Sequence, residues 1–263
     1  MISFSAAQLD AWILAFAFPL SRILAVLATA PVFNNVAVTM QTRLIIGLAI
    51  SLALSPALPP TPGIVPGSWL GLLVLAQQIL IGVIIGFTLR LMFAAVDMAG
   101  ELIGLQMGLG FASFYDPQTA SQTPVMSEFL GLLATLIFLA LNGHLLTLSV
   151  LAESFTLLPV TASPFAAKGY VTLLTWSATL FSTGVLLALP LIAALLIANI
   201  GLGVLARIAP QLNIFAVGFP VTIVAGFVVL ALMLPYFGAA LEHLYELGFA
   251  ALSGVMRAGA ALP

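Results

Sequence analysis

Six apolar stretches dominate the chain, and polar or proline-bearing connections set them apart. They cover residues 11–33, 44–58, 69–95, 129–152, 170–206 and 214–241. The hydrocarbon layer of a bilayer is about 30 Å thick, so a spanning helix needs about 20 mostly apolar residues. All but the second stretch reach that length, and the pattern predicts an all-α membrane protein of about six apolar helices. Residues 59–67 carry Pro59, Pro60, Pro62 and Pro66 together with Gly63 and Gly67, which excludes a helix and predicts a loop. The last two stretches are unusual. As a straight helix, 170–206 would extend about 55 Å, well beyond the apolar layer. Pro190 lies near its middle, and Pro220 and Pro235 interrupt the stretch after it, which predicts kinked or broken helices. Residues 207–213 read as a tight turn between them, so 170–250 reads as a long helical hairpin. The remainder, 1–165, forms an N-terminal helical part of the same domain, which takes in the whole of 1–263.

Composition turns this pattern into a class. Only 5% of the residues are charged, 63% are hydrophobic and the mean hydropathy is +1.27. Soluble domains carry about 25% charged residues, and so few solvated groups could not cover a water-facing surface. Six Lys and Arg against eight Asp and Glu leave a net charge of −2 and no basic face, which excludes nucleic acid as a partner. The absence of Cys excludes disulfides, thiolate metal sites and cysteine nucleophiles. Residues 1–10 hold no Lys or Arg, so the first apolar stretch reads as a retained helix instead of a signal peptide. With six spans and the N-terminus outside, Arg43, Arg90 and Arg207 fall on the cytoplasmic side against Lys168 and Arg257 outside, which favours that orientation.

The scarce polar groups are the candidate chemistry. Arg22 lies in the middle of the first stretch, where an arginine costs about 2.5–3.5 kcal/mol on insertion scales. It must meet an acid, a carbonyl or water, either within the bundle or on a partner subunit. Asp97 and Glu101 are spaced i,i+4 and share one helix face, two turns after Arg90. They suit a solvated helix end, or else a proton or cation site. Glu128 and Glu153 mark the ends of the fourth stretch. His144 sits alone in an apolar setting and suits hydrogen-bonded structure better than a base or a ligand. The two histidines make no metal motif, and no cofactor is expected. No catalytic signature is present either: there is no H-E-x-x-H, G-x-S-x-G or Walker loop.

Glycines add a packing signal. Gly82 and Gly86, and Gly100, Gly104 and Gly108, recur every four residues, a spacing that lets helices approach closely. After them, Gly108-Leu109-Gly110-Phe111-Ala112-Ser113-Phe114-Tyr115-Asp116-Pro117 loosens and ends the helix, and a polar loop follows to about residue 124. Non-helical backbone at membrane depth survives only inside protein or beside a water-filled lumen. The segment is therefore a surface loop with aromatic anchors or a plug in a channel.

The stretches GELIGLQMGLGFASFYDP at 100–117 and LNGHLLTLSVLAESF at 141–155 resemble the FliR family of flagellar type III export-gate proteins. So do RILAVLATAPVF at 22–33, RLIIGLAISLALSP at 43–56 and NIGLGVLARIAPQLNIFAVGFP at 199–220, so the resemblance covers essentially the whole chain. Residues 188–237 also look like the hairpin FliQ subunit. The resemblance implies a heteromeric pore complex in the bacterial inner membrane at the flagellar basal body. There the chain would assemble with FliP and FliQ, with the switch protein FlhB outside the gate, and unfolded flagellar proteins would pass through. It also implies a luminal plug, carried here onto Gly108, Gly110, Phe111, Phe114, Tyr115, Asp116 and Pro117. Two other readings stay open: the equivalent subunit of a virulence injectisome, and a secondary transporter of a small solute coupled through Asp97, Glu101 or Arg22.

Overall fold

The structure, a computed structural model, describes residues 6–58, 64, 67–109, 113–116, 121–209, 211 and 214–260. Of residues 6–15, 57, 113–116, 121–123 and 214–216 it describes the backbone alone. It is helical apart from one short hairpin. The helices are α1 (Ala6–Thr29), α2 (Met40–Leu54), α3 (Trp69–Gln106), α4 (Val125–Ala140), α5 (Gly143–Leu157), α6 (Ala167–Ile208) and α7 (Ile214–Gly259). A 3-10 turn over Ser55–Ala57 extends α2. Between α3 and α4, strands β1 (Ser113–Asp116) and β2 (Ser121–Pro124) pair antiparallel, with Ser113 opposite Pro124 and Asp116 opposite Ser121.

The helix ends follow local chemistry. Thr39 is the N-cap of α2, in an extended conformation, and its hydroxyl accepts the Thr42 amide at 3.3 Å. The fourth apolar stretch is divided into α4 and α5 by Leu141 and Asn142. Asn142 adopts the left-handed conformation at φ 57°, a geometry that asparagine tolerates better than most residues. Pro190, Pro220 and Pro235 all lie inside continuous helices. The break in the apolar pattern therefore falls at an asparagine, and the prolines interrupt neither α6 nor α7.

Helices α3, α6 and α7 are long and apolar enough to cross a membrane, and α4 with α5 makes a fourth span if the pair is counted as one. Their lengths of 38, 42 and 46 residues correspond to about 57, 63 and 69 Å, each about twice the apolar thickness of a bilayer. Helix α1, from Phe16, and α2 are shorter apolar helices.

The chain packs into two units. One comprises Met1–Leu91, Asn142–Ser177 and Leu247–Pro263; the other comprises Met92–Leu141 and Ala178–Glu246. In the first, α1 crosses α3 with almost no side chain between them. A methyl group on Gly82 would lie 2.4 Å from the Arg22 carbonyl oxygen, and one on Gly86 would lie 1.9 Å from the Thr29 hydroxyl. Ile23 and Leu27 of α1 and Ile81 and Ile85 of α3 are fully buried. In the second unit, α4 starts directly on α3: a methyl group on Gly100 would meet the Ser127 backbone at 2.5 Å. An aromatic cluster of Phe93, Phe138 and Tyr245 then ties α3, α4 and α7 together, with ring centroids 5.3–5.9 Å apart. The Tyr245 hydroxyl donates to the Ala134 carbonyl at 2.7 Å, which satisfies its one polar atom.

The glycine contacts are testable. Gly82→Ala would press a methyl group against the α1 backbone, which cannot move alone, and should cost about 1–3 kcal/mol. Gly254→Ala meets open space. Ala is favoured over Gly in a helix interior by about 1 kcal/mol, so stability should hold or rise there. The comparison is the unfolding midpoint in detergent; equal midpoints for the two variants would contradict the α1–α3 packing.

Candidate functional site

Arg22 is fully buried in the first unit, and each of its five N–H groups meets an acceptor. Nε donates to Gln78 Oε1 at 2.9 Å, and Nη2 donates to the same oxygen and to the Leu158 carbonyl at 2.7 Å. Nη1 donates to the Ser154 carbonyl at 2.8 Å and to the Ser154 hydroxyl at 3.1 Å. That hydroxyl passes its own proton to the Leu151 carbonyl at 2.6 Å. The guanidinium carbon stands 4.2 Å from the centre of the Phe155 ring, within cation–π range.

No carboxylate takes part. The acceptors are one side-chain amide from α3 together with a hydroxyl and two carbonyls from the end of α5. The Ser154 carbonyl also accepts the Leu158 amide at 2.9 Å. The C-terminal end of a helix carries the negative end of its dipole, so a cation is favoured there by about 0.3–2 kcal/mol. Five hydrogen bonds at about 0.5–1.5 kcal/mol each are of a size to offset the insertion cost of about 2.5–3.5 kcal/mol. Arg22 thus clamps α1, α3 and the C-terminus of α5. The Gln78 partner left a trace in the sequence: Gln77 and Gln78 are adjacent amides in an otherwise apolar run. Ser154 and Leu158 left none, because backbone carbonyls are invisible to residue type.

The second unit holds a different site. Asp97 and Glu101 on α3 line an open groove of about 340 Å³ with Glu128 and Ser127 of α4, and Ala94, Met98 and Pro124 form its walls. The Ser127 hydroxyl donates to the Asp97 carbonyl at 2.8 Å and holds the start of α4 in place. Glu128, which reads in sequence as a boundary charge, is therefore the third acid of this face. Glu101 and Glu128 are exposed and form no ion pair among the described residues. No group of three His, Cys, Asp or Glu among the described residues is arranged to hold a metal ion.

Charge divides with the units. Arg22, Arg43, Arg90, Lys168 and Arg257 lie in the first unit with Asp10 and Glu153. The second has Arg207 as its basic residue against Asp97, Glu101, Asp116, Glu128, Glu242 and Glu246. Arg90 and Arg207 are exposed, and neither forms a hydrogen bond or ion pair among the described residues. His144 lies in the first turn of α5, and its buried Nδ1 has no partner among the described residues.

The aromatic loop begins at Gly108, which takes φ 80° just after α3. Gly104 packs on Met126 of α4 at ordinary contact distance, close to where the loop ends. Gly110, Phe111 and Pro117 lie outside the described residues, and of Phe114, Tyr115 and Asp116 only the backbone is described, as strand β1.

These features define a multi-span helical membrane protein with an internal polar clamp and a polar hairpin between two of its apolar helices. The chain belongs to the bacterial export proteins, family 1, which it matches over residues 13–248. It is similar to the flagellar biosynthetic protein FliR of Pectobacterium carotovorum subsp. carotovorum, 44% identical over 97% of this chain and 98% of that one. Flagellar biosynthetic protein FliR of Escherichia coli (strain K12) is 39% identical over 97% of this chain and 98% of its own. That of Aquifex aeolicus (strain VF5) is 35% identical over 81% and 83%.

The clamp makes a definite prediction. Arg22→Ala strands Gln78 Oε1 and takes the Arg22 donor from the Leu158 carbonyl, and should cost on the order of 3 kcal/mol. Arg22→Lys keeps the charge but has three donors where five are used, and should fall between. The check is the fraction of chain recovered folded by size exclusion in mild detergent. Full recovery of Arg22→Ala would show that the clamp does not hold the unit together.

Proposed function

We propose that this membrane-spanning component of the flagellar export apparatus is a core subunit of the type III export gate. In this reading it forms, with FliP and FliQ subunits in the bacterial inner membrane, the pore through which unfolded rod, hook and filament proteins pass. FlhB lies outside the gate near its cytoplasmic entrance. The 108–124 loop faces the lumen and helps close it, with Phe111, Phe114 and Tyr115 as the occluding groups. Residues 170–250 take the place of one more FliQ-like hairpin.

The observation that carries the reading is the exposure of α6 and α7. In the most apolar stretch of each, only 22% of residues are buried, against 67% in α3. At about 63 and 69 Å the two helices outrun an apolar layer of about 30 Å. Lipid cannot cover what extends beyond that layer, and exposed apolar surface on this scale calls for protein partners. The exposed Glu101, Glu128, Arg90 and Arg207 are then pairing points for opposite charges on neighbouring subunits.

The plug is tested by trimming. Phe111, Phe114 and Tyr115 changed together to Ala should raise the ion conductance of membranes containing the complex, with assembly unchanged. Conductance equal to that of the wild type, at equal complex content, would remove the plug from the account.

A further inference from the structure

The connection from α5 to α6 crosses the end of α7, and there the first unit brings two cations together. The Ala166 amide donates to the Gly259 carbonyl at 2.9 Å. A methyl group on Gly169 would lie 2.7 Å from the Gly259 Cα, so the first turn of α6 touches the last turn of α7 backbone to backbone. The buried Phe165 ring lies across both glycines, and a methyl group on either would run into it. Lys168 stands in that first turn and Arg257 in that last one. Both are exposed, and neither side chain has a hydrogen bond or ion pair among the described residues. The same connection leaves a cavity of about 180 Å³, lined by Gln77 of α3, by Leu158, Thr161 and Ser163, and by Gly259 and Ala260 at the end of α7. Gln77 Nε2 donates to the Ser163 carbonyl and pins the connection to α3. The Thr161 and Ser163 hydroxyls have no hydrogen bond among the described residues.

We propose that this corner of the first unit binds the phosphodiester of an anionic phospholipid. Lys168 and Arg257 supply the charge that holds the phosphate, and the cavity with its two free hydroxyls seats the polar headgroup. The sequence sets the depth of the site. Lys168 is the last charge before residues 169–206, which carry none. Tyr170, two residues on, is 38% exposed and packs edge-on against Phe165, with ring centroids 4.9 Å apart. A cation and a tyrosine at the start of a long apolar helix belong at the membrane–water interface, where the headgroups lie. The unit's charge has the matching sign. It holds five Lys and Arg against Asp10 and Glu153, and Glu153 forms no ion pair with either exposed cation. A zwitterionic headgroup offers the same phosphate but brings its own ammonium, so it gains less from the pair. Such binding needs no other subunit, so it stands or falls apart from the export-gate reading.

The test is a titration of the full-length chain in mild detergent with phosphatidylglycerol or phosphatidylcholine, with bound lipid counted by native mass spectrometry. Phosphatidylglycerol should bind more tightly; equal affinities overturn the site. Lys168→Gln with Arg257→Gln should weaken phosphatidylglycerol binding about thirtyfold and leave phosphatidylcholine unchanged. Binding as tight as that of the wild type overturns the proposal. Lys168→Arg with Arg257→Lys keeps both charges and should bind normally. A loss there as large as in the Gln pair overturns it too, because the effect is then structural. Arg207→Gln removes an exposed cation at the far end of α6 and should change nothing, whereas an equal loss would mean that any cation serves. Excess inorganic phosphate should not displace the lipid, and displacement would make this a site for free phosphate instead.

Discussion

A guanidinium in an apolar interior needs an acceptor for each of its five N–H groups, and in this protein that requirement decides how three helices meet. Arg22 can be satisfied only if α1, the amide of Gln78 on α3 and the final turn of α5 stand within hydrogen-bond distance together. The counter-charge is a helix C-terminus: the Leu158 carbonyl accepts from Arg22, and so does the Ser154 carbonyl, which also takes the Leu158 amide at 2.9 Å. The buried cation and the carbonyl end of α5 thus satisfy each other, while Gln78 Nε2 stays buried with no partner among the described residues. The close approach that this needs comes from Gly82 and Gly86, which let α1 lie directly on α3. Clamp and glycine contact depend on each other, because a wider α1–α3 spacing would pull the guanidinium away from its acceptors.

The second unit reaches close packing by a similar route but keeps its charges outside. Gly100 brings α4 onto α3, and three aromatic rings with one satisfied hydroxyl fill the space farther along. Asp97, Glu101 and Glu128 are left on one face, in a unit whose Lys and Arg content is Arg207 alone. A carboxylate facing hydrocarbon is costly, so such a face belongs beside water or opposite a cation.

Much of this was legible in the sequence, for physical reasons that can be named. Apolar runs of 20 or more residues, with charge nearly absent, fix a helical membrane protein, because lipid offers the backbone no hydrogen bonds and a long continuous apolar run satisfies its own only as a helix. The glycine spacing marks close approach without saying to what, and the partners of Gly82 and Gly100 became known only from the fold. Arg22 stood out as a charge in need of a partner. The sequence could not identify two of its acceptors, because backbone carbonyls carry no residue-type signature. The break between α4 and α5 was missed, since Asn142 interrupts the pattern less visibly than a proline does. The prolines drew the expectation of kinked or broken helices, and α6 and α7 continue unbroken through them. Glu128 joins Asp97 and Glu101 only because α4 starts on Gly100, a non-local contact that no spacing rule encodes.

What unites the account is the claim that the exposed apolar faces of α6 and α7 are covered by other subunits. The direct measurement is native mass spectrometry of the chain extracted from membranes in mild detergent. The account predicts one copy of this chain in a fixed ratio with two different small membrane proteins, both retained after bound lipid is stripped. A species containing only this chain, as monomer or homodimer solvated by lipid and detergent, would contradict it.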